Sequence, residues 1–280
     1  MRIWGVRAES LPSTSAYERF RALHERQTAF VMPNAWDGAS AVLLARAGFE
    51  ALGSTSLGLA FSLGRQDGCR AVTRDEAVAH AALLGHVSGL PVNGDLEDGF
   101  GADPEDCAAT IRAAIGSGLA GVGIEDTTAD DAHPIHDFDL AVARVRAAAR
   151  AANGRIVLTG RTDNYLHGRT DLDDTVARLA AFAEAGADVL YAPCLPDMDA
   201  IRAVVAAVAP KPVNVLIGPS KPVPLAELSA AGVRRVSVGG ALYRSAMTSL
   251  VETARALRDG DLSIFSGAIS GSEIAGLFQA

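Results

Sequence analysis

The chain has 280 residues, 49% of them hydrophobic, and a formal charge of −8. That is ample apolar material for a large core, and dispersed basic residues within an acidic total exclude a general nucleic-acid or anionic-membrane surface. No run approaches about 18 uninterrupted apolar residues, Met1–Arg7 has no apolar leader core, and Cys69, Cys107 and Cys194 are too scattered for a disulfide framework, so a cytoplasmic setting is expected.

The first dozen residues read as an irregular arm. From Ser15 to His24 the spacing of Tyr17, Phe20 and Leu23 predicts a helix with one apolar side. Thr28–Met32 reads as a first strand stopped by Pro33-Asn34, and a helix follows from about Asp37 to Ala47. A unit then recurs. An alanine-rich helix ends in Ala-Gly or Ser-Gly, at Gly48, Gly118, Gly186 and Gly232, and a short apolar strand starts within a few residues. Glycine after a helix adopts the left-handed conformation that closes it, and a tight helix-to-strand step suits a parallel sheet. Eight strands are expected, near residues 28–32, 50–54, 90–95, 121–125, 155–160, 188–192, 212–217 and 235–239. Each of the first seven precedes a helical stretch, and Leu242–Arg258 supplies another, the pattern of an α/β fold of (β/α)8 TIM-barrel type. A doubly wound sheet would more often carry a glycine-rich phosphate turn after its first strand, and Met32-Pro33-Asn34-Ala35-Trp36 is not one. After a loose apolar segment, Ile264–Ile269, a short helix is expected near Ser272–Phe278. The expectation is one barrel domain over 1–280, with an N-terminal arm and helix over 1–27 and a C-terminal helical extension over 244–280.

Within this frame one stretch stands out: Val92-Asn93-Gly94-Asp95-Leu96-Glu97-Asp98-Gly99-Phe100-Gly101. In an extended segment Asp95 and Glu97 point to the same side, while Asp98 alternates away into the turn. Two hard oxygen donors at a strand end suit Mg²⁺, which takes one or two carboxylates and keeps several waters. Barrel active sites form at the C-terminal ends of the strands, and the other ends carry matching chemistry. Strand two releases Ser54-Thr55-Ser56-Leu57, a turn with amides for a developing oxyanion, with Asp67 beyond it. Strand four releases Glu125-Asp126, strand five Arg161 and Asp163, and strand seven Asn214 with Ser220-Lys221 after it. Several acids around one arginine fit a divalent cation holding an anionic substrate, with the guanidinium as a fork for a carboxylate. The bland alternatives are an acidic surface turn, helix N-caps and a structural ion pair; Asp103, Asp171 and Asp197 read better as N-caps than as site residues.

These stretches resemble the isocitrate lyase/phosphoenolpyruvate mutase superfamily. The likeness rests on Pro33–Asp37, Gly53–Gly68, Asp95–Gly101, Gly121–Asp126, Gly160–Asp163 and Val236–Gly240, in family order over about residues 28–250. It implies a (β/α)8 barrel, Mg²⁺ (with Mn²⁺ as the substitute) and a small-molecule carboxylate substrate passing through an enolate or enolpyruvate-like species. By the same resemblance Asp95 is the direct metal ligand, Glu97 and Glu125 hold metal-bound waters, and Asp67 lies close by. Arg161 binds the substrate carboxylate, and Thr55, Ser56 and Leu57 hold its carboxylate and oxo group; Asn214 joins the substrate-binding set, and Arg161, Glu125 and Thr55 the catalytic one. A helix-swapped homo-oligomer, dimer or tetramer, is implied for the segment after Arg244.

The lid after strand four, Asp126–Asp137, departs from the family. It has neither the cysteine of the isocitrate and methylisocitrate lyases nor the lysine of the mutase, and Pro193 stands where the mutase has a strand-six histidine. His133 and His136 are the titratable residues left in the lid for proton transfer near neutral pH. The expected activity is Mg²⁺-dependent carbon–carbon cleavage of a small 2-oxo acid. A P–C bond rearrangement or cleavage, and a metabolite-binding barrel without catalysis, stand as the alternatives.

Overall fold

The computed structural model describes residues 14–68, 70–218 and 223–278. The arm up to residue 13, Cys69 and the Ser220-Lys221 pair lie outside the described residues. The chain runs α1 (Ala16–His24), β1 (Phe30–Met32), α2 (Gly38–Arg46), β2 (Leu52–Gly53), α3 (Ser56–Ser62), α4 (Arg74–Ser88), β3 (Val92–Asp95), α5 (Pro104–Gly116) and β4 (Gly121–Glu125). It continues with α6 (Phe138–Ala152), β5 (Val157–Arg161), α7 (Leu172–Ala185), β6 (Val189–Tyr191), α8 (Met198–Val208), β7 (Val213–Leu216), α9 (Leu225–Ala230), β8 (Arg235–Ser237), α10 (Ala241–Arg258) and α11 (Gly271–Leu277). All eight expected strands are present, most trimmed by a residue or two at an end. Asp171 and Asp197 cap α7 and α8 through their side chains, and Asp103 precedes α5 in a capping box. The four repeating glycines, Gly48, Gly118, Gly186 and Gly232, all have left-handed φ, between 78° and 111°.

The strands are all parallel, in the order β1-β8-β7-β6-β5-β4-β3-β2. This is a (β/α)8 barrel whose seam lies between β1 and β2. There the ladder shrinks to one bridge, Asn34 to Gly53, with Ala35 N–H donating to Gly53 O at 2.8 Å and Gly53 N–H to Pro33 O at 2.9 Å. The Asn34 side chain completes the closure. Its Nδ2 donates to Ser54 O at 2.7 Å, and its Oδ1 accepts from the Val238 and Gly239 amides at 3.1 and 2.9 Å. One buried amide thus joins the mouths of β1, β2 and β8. Gly53 has no room for a side chain here, since a Cβ would sit 2.6 Å from Asn34 Nδ2.

The main core lies between the sheet and its helices, with Val122, Ile124, Leu158 and Leu190 against Ile111, Val145, Leu179 and Phe182. A smaller apolar cluster plugs the other end: Phe20 and Leu23 of α1 pack with Phe30, Ala120, Val157 and Val189 at or near the strand starts. The mouth formed by the strand C-termini is therefore where polar groups can gather. No helix among the described residues is long and apolar enough to cross a membrane. Replacing Asn34→Ala is expected to lower unfolding free energy by about 2–4 kcal/mol, because three backbone groups lose their partner at once. Urea denaturation checks this; an unchanged midpoint would show that the seam holds without it.

Candidate active site

Register explains which residues meet at the mouth. Glu125 is opposite Arg161, Arg161 opposite Tyr191, and Tyr191 opposite Asn214 across adjacent parallel strands. Asp95 ends β3 beside Gly123. Residues level with one another in a parallel barrel present side chains to the same layer. Asp95, Glu125, Arg161, Tyr191, Asn214 and Arg235 accordingly line one cavity of about 70 Å³. Anything held in so small a space is small.

Arg161 organises this layer. Its Nε and Nη2 make a bidentate pair with Asp163, at 2.6 and 2.8 Å. Its Nη1 is turned to Glu125 Oε2 at 3.0 Å and Asp95 Oδ1 at 3.6 Å, and its Cζ lies 5.3 Å from the Tyr191 ring centroid. The structural ion-pair reading of this arginine is therefore realised. Asp163 fixes the fork, and Nη1 faces the acids. Asp163 is in turn held by its own amide donating to Asp126 Oδ1 at 2.9 Å, and Asp126 pairs with buried Arg178 at 3.2 Å. Asp126 belongs to the support, not to the cavity wall.

The acids differ in placement. Asp95 accepts from the Ser56 amide at 2.9 Å, and its own amide donates to Ser54 Oγ at 2.8 Å, which ties β3 to the turn after β2. Glu97 corrects the sequence expectation. The strand ends at Asp95, and Glu97 takes a positive φ of 48°, so period-two alternation does not place it beside Asp95. Its carboxylate instead accepts from the Arg70 amide at 2.6 Å. Asp98 is wholly buried and paired with Arg70 at 2.7 Å, in keeping with a role in the turn. Thr55 uses its hydroxyl to cap α3 at Gly58, and the Leu57 side chain packs close over Gly240.

The lid is a small antiparallel excursion, with Thr127 bridged to Ile135. His133 points to solvent beside Asp130, and His136 is buried, where desolvation first and then Arg144 lower its pKa. Neither histidine lines the cavity. Cys107 is buried in α5, and exposed Cys194 lines a separate recess near the mouth. Sequence reasoning overlooked Tyr191, Arg235 and Ser237 as site residues. The available signal was polarity inside parallel strands, which are ordinarily runs of apolar residues.

The phosphoenolpyruvate phosphomutase family profile matches residues 20–258. The chain belongs to this family, within the isocitrate lyase/phosphoenolpyruvate mutase superfamily. A solved structure from Burkholderia cenocepacia J2315 is 48% identical, with a TM-score of 0.90, covering 95% of this chain and 96% of that one. Oxaloacetate decarboxylase of Paraburkholderia xenovorans (strain LB400) is 29% identical over 91% of this chain and 86% of its own length. The structure of oxaloacetate acetylhydrolase with its product oxalate is 26% identical, with a TM-score of 0.86 and 94% of both chains covered. The superfamily's lyases and mutases make this chain an enzyme.

The acids fit a hard divalent cation. Among the described residues no three His, Cys, Asp or Glu side chains form a ready metal cage. Mg²⁺ requires no such cage, because water supplies much of its shell. What marks the site is buried acids set close together. Burial, then Asp95, pushes up the pKa of Asp67. Burial, followed by Asp95, Asp98 and Asp67, pushes the Glu97 carboxyl up to about 7. Burial first, then Asp163 and Asp95, also raises Glu125 against the pull of Arg161. An acid with a raised native pKa costs stability once the pH passes its unfolded value near 4.5, and the full cost is present above about 7. Without divalent cations, Glu97→Gln is expected to stabilise the protein by roughly 1–2 kcal/mol at alkaline pH and by nothing below its unfolded pKa. Thermal unfolding at the two extremes tests this; equal gains at both would separate the effect from charge.

Proposed function

We propose that this enzyme is a Mg²⁺-dependent lyase that cleaves a carbon–carbon bond of a small 2-oxo acid, or related carboxylate, through an enolate. Mn²⁺ would serve in place of Mg²⁺. The observation that carries this reading is the layer of Asp95, Glu125 and Arg161 around a cavity of about 70 Å³, backed by Asp67 and Glu97. Asp95 would hold the cation, with Glu97, Glu125 and Asp67 as the surrounding acids. When bound, the ion screens these acids and polarises the substrate's 2-oxo oxygen. The protein's own groups supply position. Arg161 Nη1 attracts the substrate carboxylate while Asp163 keeps the guanidinium from swinging away. The Thr55–Leu57 turn, tied to Asp95 through the Ser56 amide, holds the other end of the substrate. Asn214 contributes an amide to the opposite wall.

Relatives named for oxaloacetate chemistry favour a four-carbon 2-oxo dicarboxylate as the first candidate. The family profile's own name keeps phosphonopyruvate-type rearrangement as the competing chemistry. Calorimetry with oxalate, a planar mimic of pyruvate enolate, is expected to show Mg²⁺-dependent binding that Asp95→Ala removes. Binding indifferent to Mg²⁺ and to that substitution would sink the site assignment. An assay panel of oxaloacetate, alkylmalates and phosphonopyruvate then decides the reaction, with pyruvate or glyoxylate release expected and phosphonate turnover pointing to the rival.

We also propose a homo-oligomer built through the C-terminal helices. Leu250 and Val251 of α10, with Leu262 and Phe265 after it, leave large apolar side chains exposed on one chain, and such surface is ordinarily covered by a partner. In the single chain α11 packs back toward α2, where Arg46 Nε donates to Leu277 O at 3.3 Å. Sedimentation equilibrium is expected to give a dimer or tetramer at micromolar concentration, and a monomer would overturn the assembly.

A further inference from the structure

The lid provides no proton donor in the cavity, yet an enolate left by bond cleavage needs a proton at carbon. Tyr191 closes β6 in register between Arg161 and Asn214, and it lines the same cavity as Asp95 and Glu125. Behind it a hydrogen-bond chain runs in one direction. Arg235, 1% exposed, donates from Nε to Asn214 Oδ1 at 2.9 Å and from Nη2 to Thr159 Oγ1 at 3.0 Å. Its remaining contact is with His24 Nε2 at 3.4 Å, and it pairs with no carboxylate among the described residues. With its oxygen held by Arg235, the Asn214 amide presents Nδ2, which donates to Ser237 Oγ at 2.9 Å. Ser237 lines the same cavity as Tyr191. A serine that accepts from an amide keeps its own proton to donate. The chain therefore ends in a hydroxyl proton at the cavity wall that Tyr191 shares.

Arg161 lies over the ring, its Cζ 5.3 Å from the centroid, and Arg235 lines the same cavity from β8. Burial, the larger influence, keeps the phenol protonated at neutral pH. Once the proton leaves, the phenolate would share the cavity with the Arg161 and Arg235 guanidinium groups. Arg235 is otherwise a buried charge without an anion, an arrangement that is expensive unless an anion forms nearby during the reaction.

We propose that Tyr191 is the acid that protonates the carbon released by bond cleavage, with Arg161 and Arg235 stabilising the phenolate left behind. The inference rests on the lyase reading. For a four-carbon 2-oxo dicarboxylate the bond to the distal carboxylate breaks, that carboxylate leaves as carbon dioxide, the bond's electron pair stays on the carbon adjacent to the oxo group as the enolate, and the Tyr191 O–H proton goes to that carbon. Water from solvent then returns a proton to the phenolate.

The reverse step provides the test. With Mg²⁺ and pyruvate in D₂O, a phenolate at Tyr191 takes a methyl proton, the C–H pair passes into the enolate, and a deuteron returns from the exchanged phenol. Methyl exchange is followed by proton NMR, beside calorimetry of oxalate on the same full-length protein. Tyr191→Phe is expected to slow exchange about 100-fold or more while oxalate affinity stays unchanged. Exchange as fast in Tyr191→Phe as in the wild type would overturn the assignment. So would a wild type that binds oxalate but exchanges nothing, or loss of exchange in Glu125→Gln alone. A wild type that binds no oxalate in the presence of Mg²⁺ removes the proposed function, and this inference with it.

Discussion

The mouth of the barrel depends on one guanidinium placed among three carboxylates. Removed from water, Asp95, Glu125 and Asp163 would repel one another, and Arg161 by itself would be a buried charge without compensation. Together they hold. Asp163 takes the two-pronged side of the fork at 2.6 and 2.8 Å, leaving Nη1 to Glu125 and Asp95. Asp163 is available for this because Asp126 accepts its amide proton, and Asp126 is itself paired with Arg178 of α7. A charge at the mouth is therefore braced through two further layers to an outer helix. That bracing preorganises Nη1, since little motion remains to be lost when an anion arrives.

The barrel makes such a cluster possible by register. Each βα unit ends with one residue at the rim, and the ladders hold those residues level. Polar groups here avoid the cost of a fully apolar core because the other end is sealed by α1 and the helices bury their apolar faces outside. Arg235 is the exception. It descends into the bore between Asn214, Thr159 and His24, so the polar layer reaches nearly to the plug.

Much of this was legible in the sequence, because repetition carries the information. Helix, glycine, short strand is a local signal, and eight copies specify a closed parallel barrel more firmly than any one of them. Asp95, Glu125, Arg161 and Asn214 were readable because each stands at or near a strand end. Glu97 shows the limit. Its place was inferred from strand alternation, but β3 ends at Asp95 and the left-handed turn at Glu97 sends its carboxylate to the Arg70 amide. The turn is chosen by tertiary contacts, including Asp98 with Arg70, that no window of sequence displays. Tyr191 and Arg235 were hidden for a different reason. Tyr191 ends β6 and Arg235 begins β8, and an isolated residue of either kind in a strand segment carries no address until its neighbours across the barrel are known.

The charge balance of the site constrains how it can work. Burial, and after it the nearby Asp95, raises the proton affinity of Asp67, Glu97 and Glu125, while Arg161 is partly neutralised by Asp163. A carboxylate substrate approaching this set meets more negative charge than positive. On the proposed reading, its affinity must therefore be coupled to that of the divalent cation, and the coupling is reciprocal: whatever strengthens one strengthens the other by the same factor. Arg235 lies on the far side of the cavity from this negative set. Its charge favours negative charge that develops beside Tyr191 and Asn214, on the β6–β8 side of the cavity. On the proposed reading Arg161 acts on both the bound substrate and the later charge, whereas Arg235, which the substrate carboxylate does not engage, acts on the later charge alone. A group whose effect is reserved for charge that appears only during reaction raises turnover without merely tightening substrate binding.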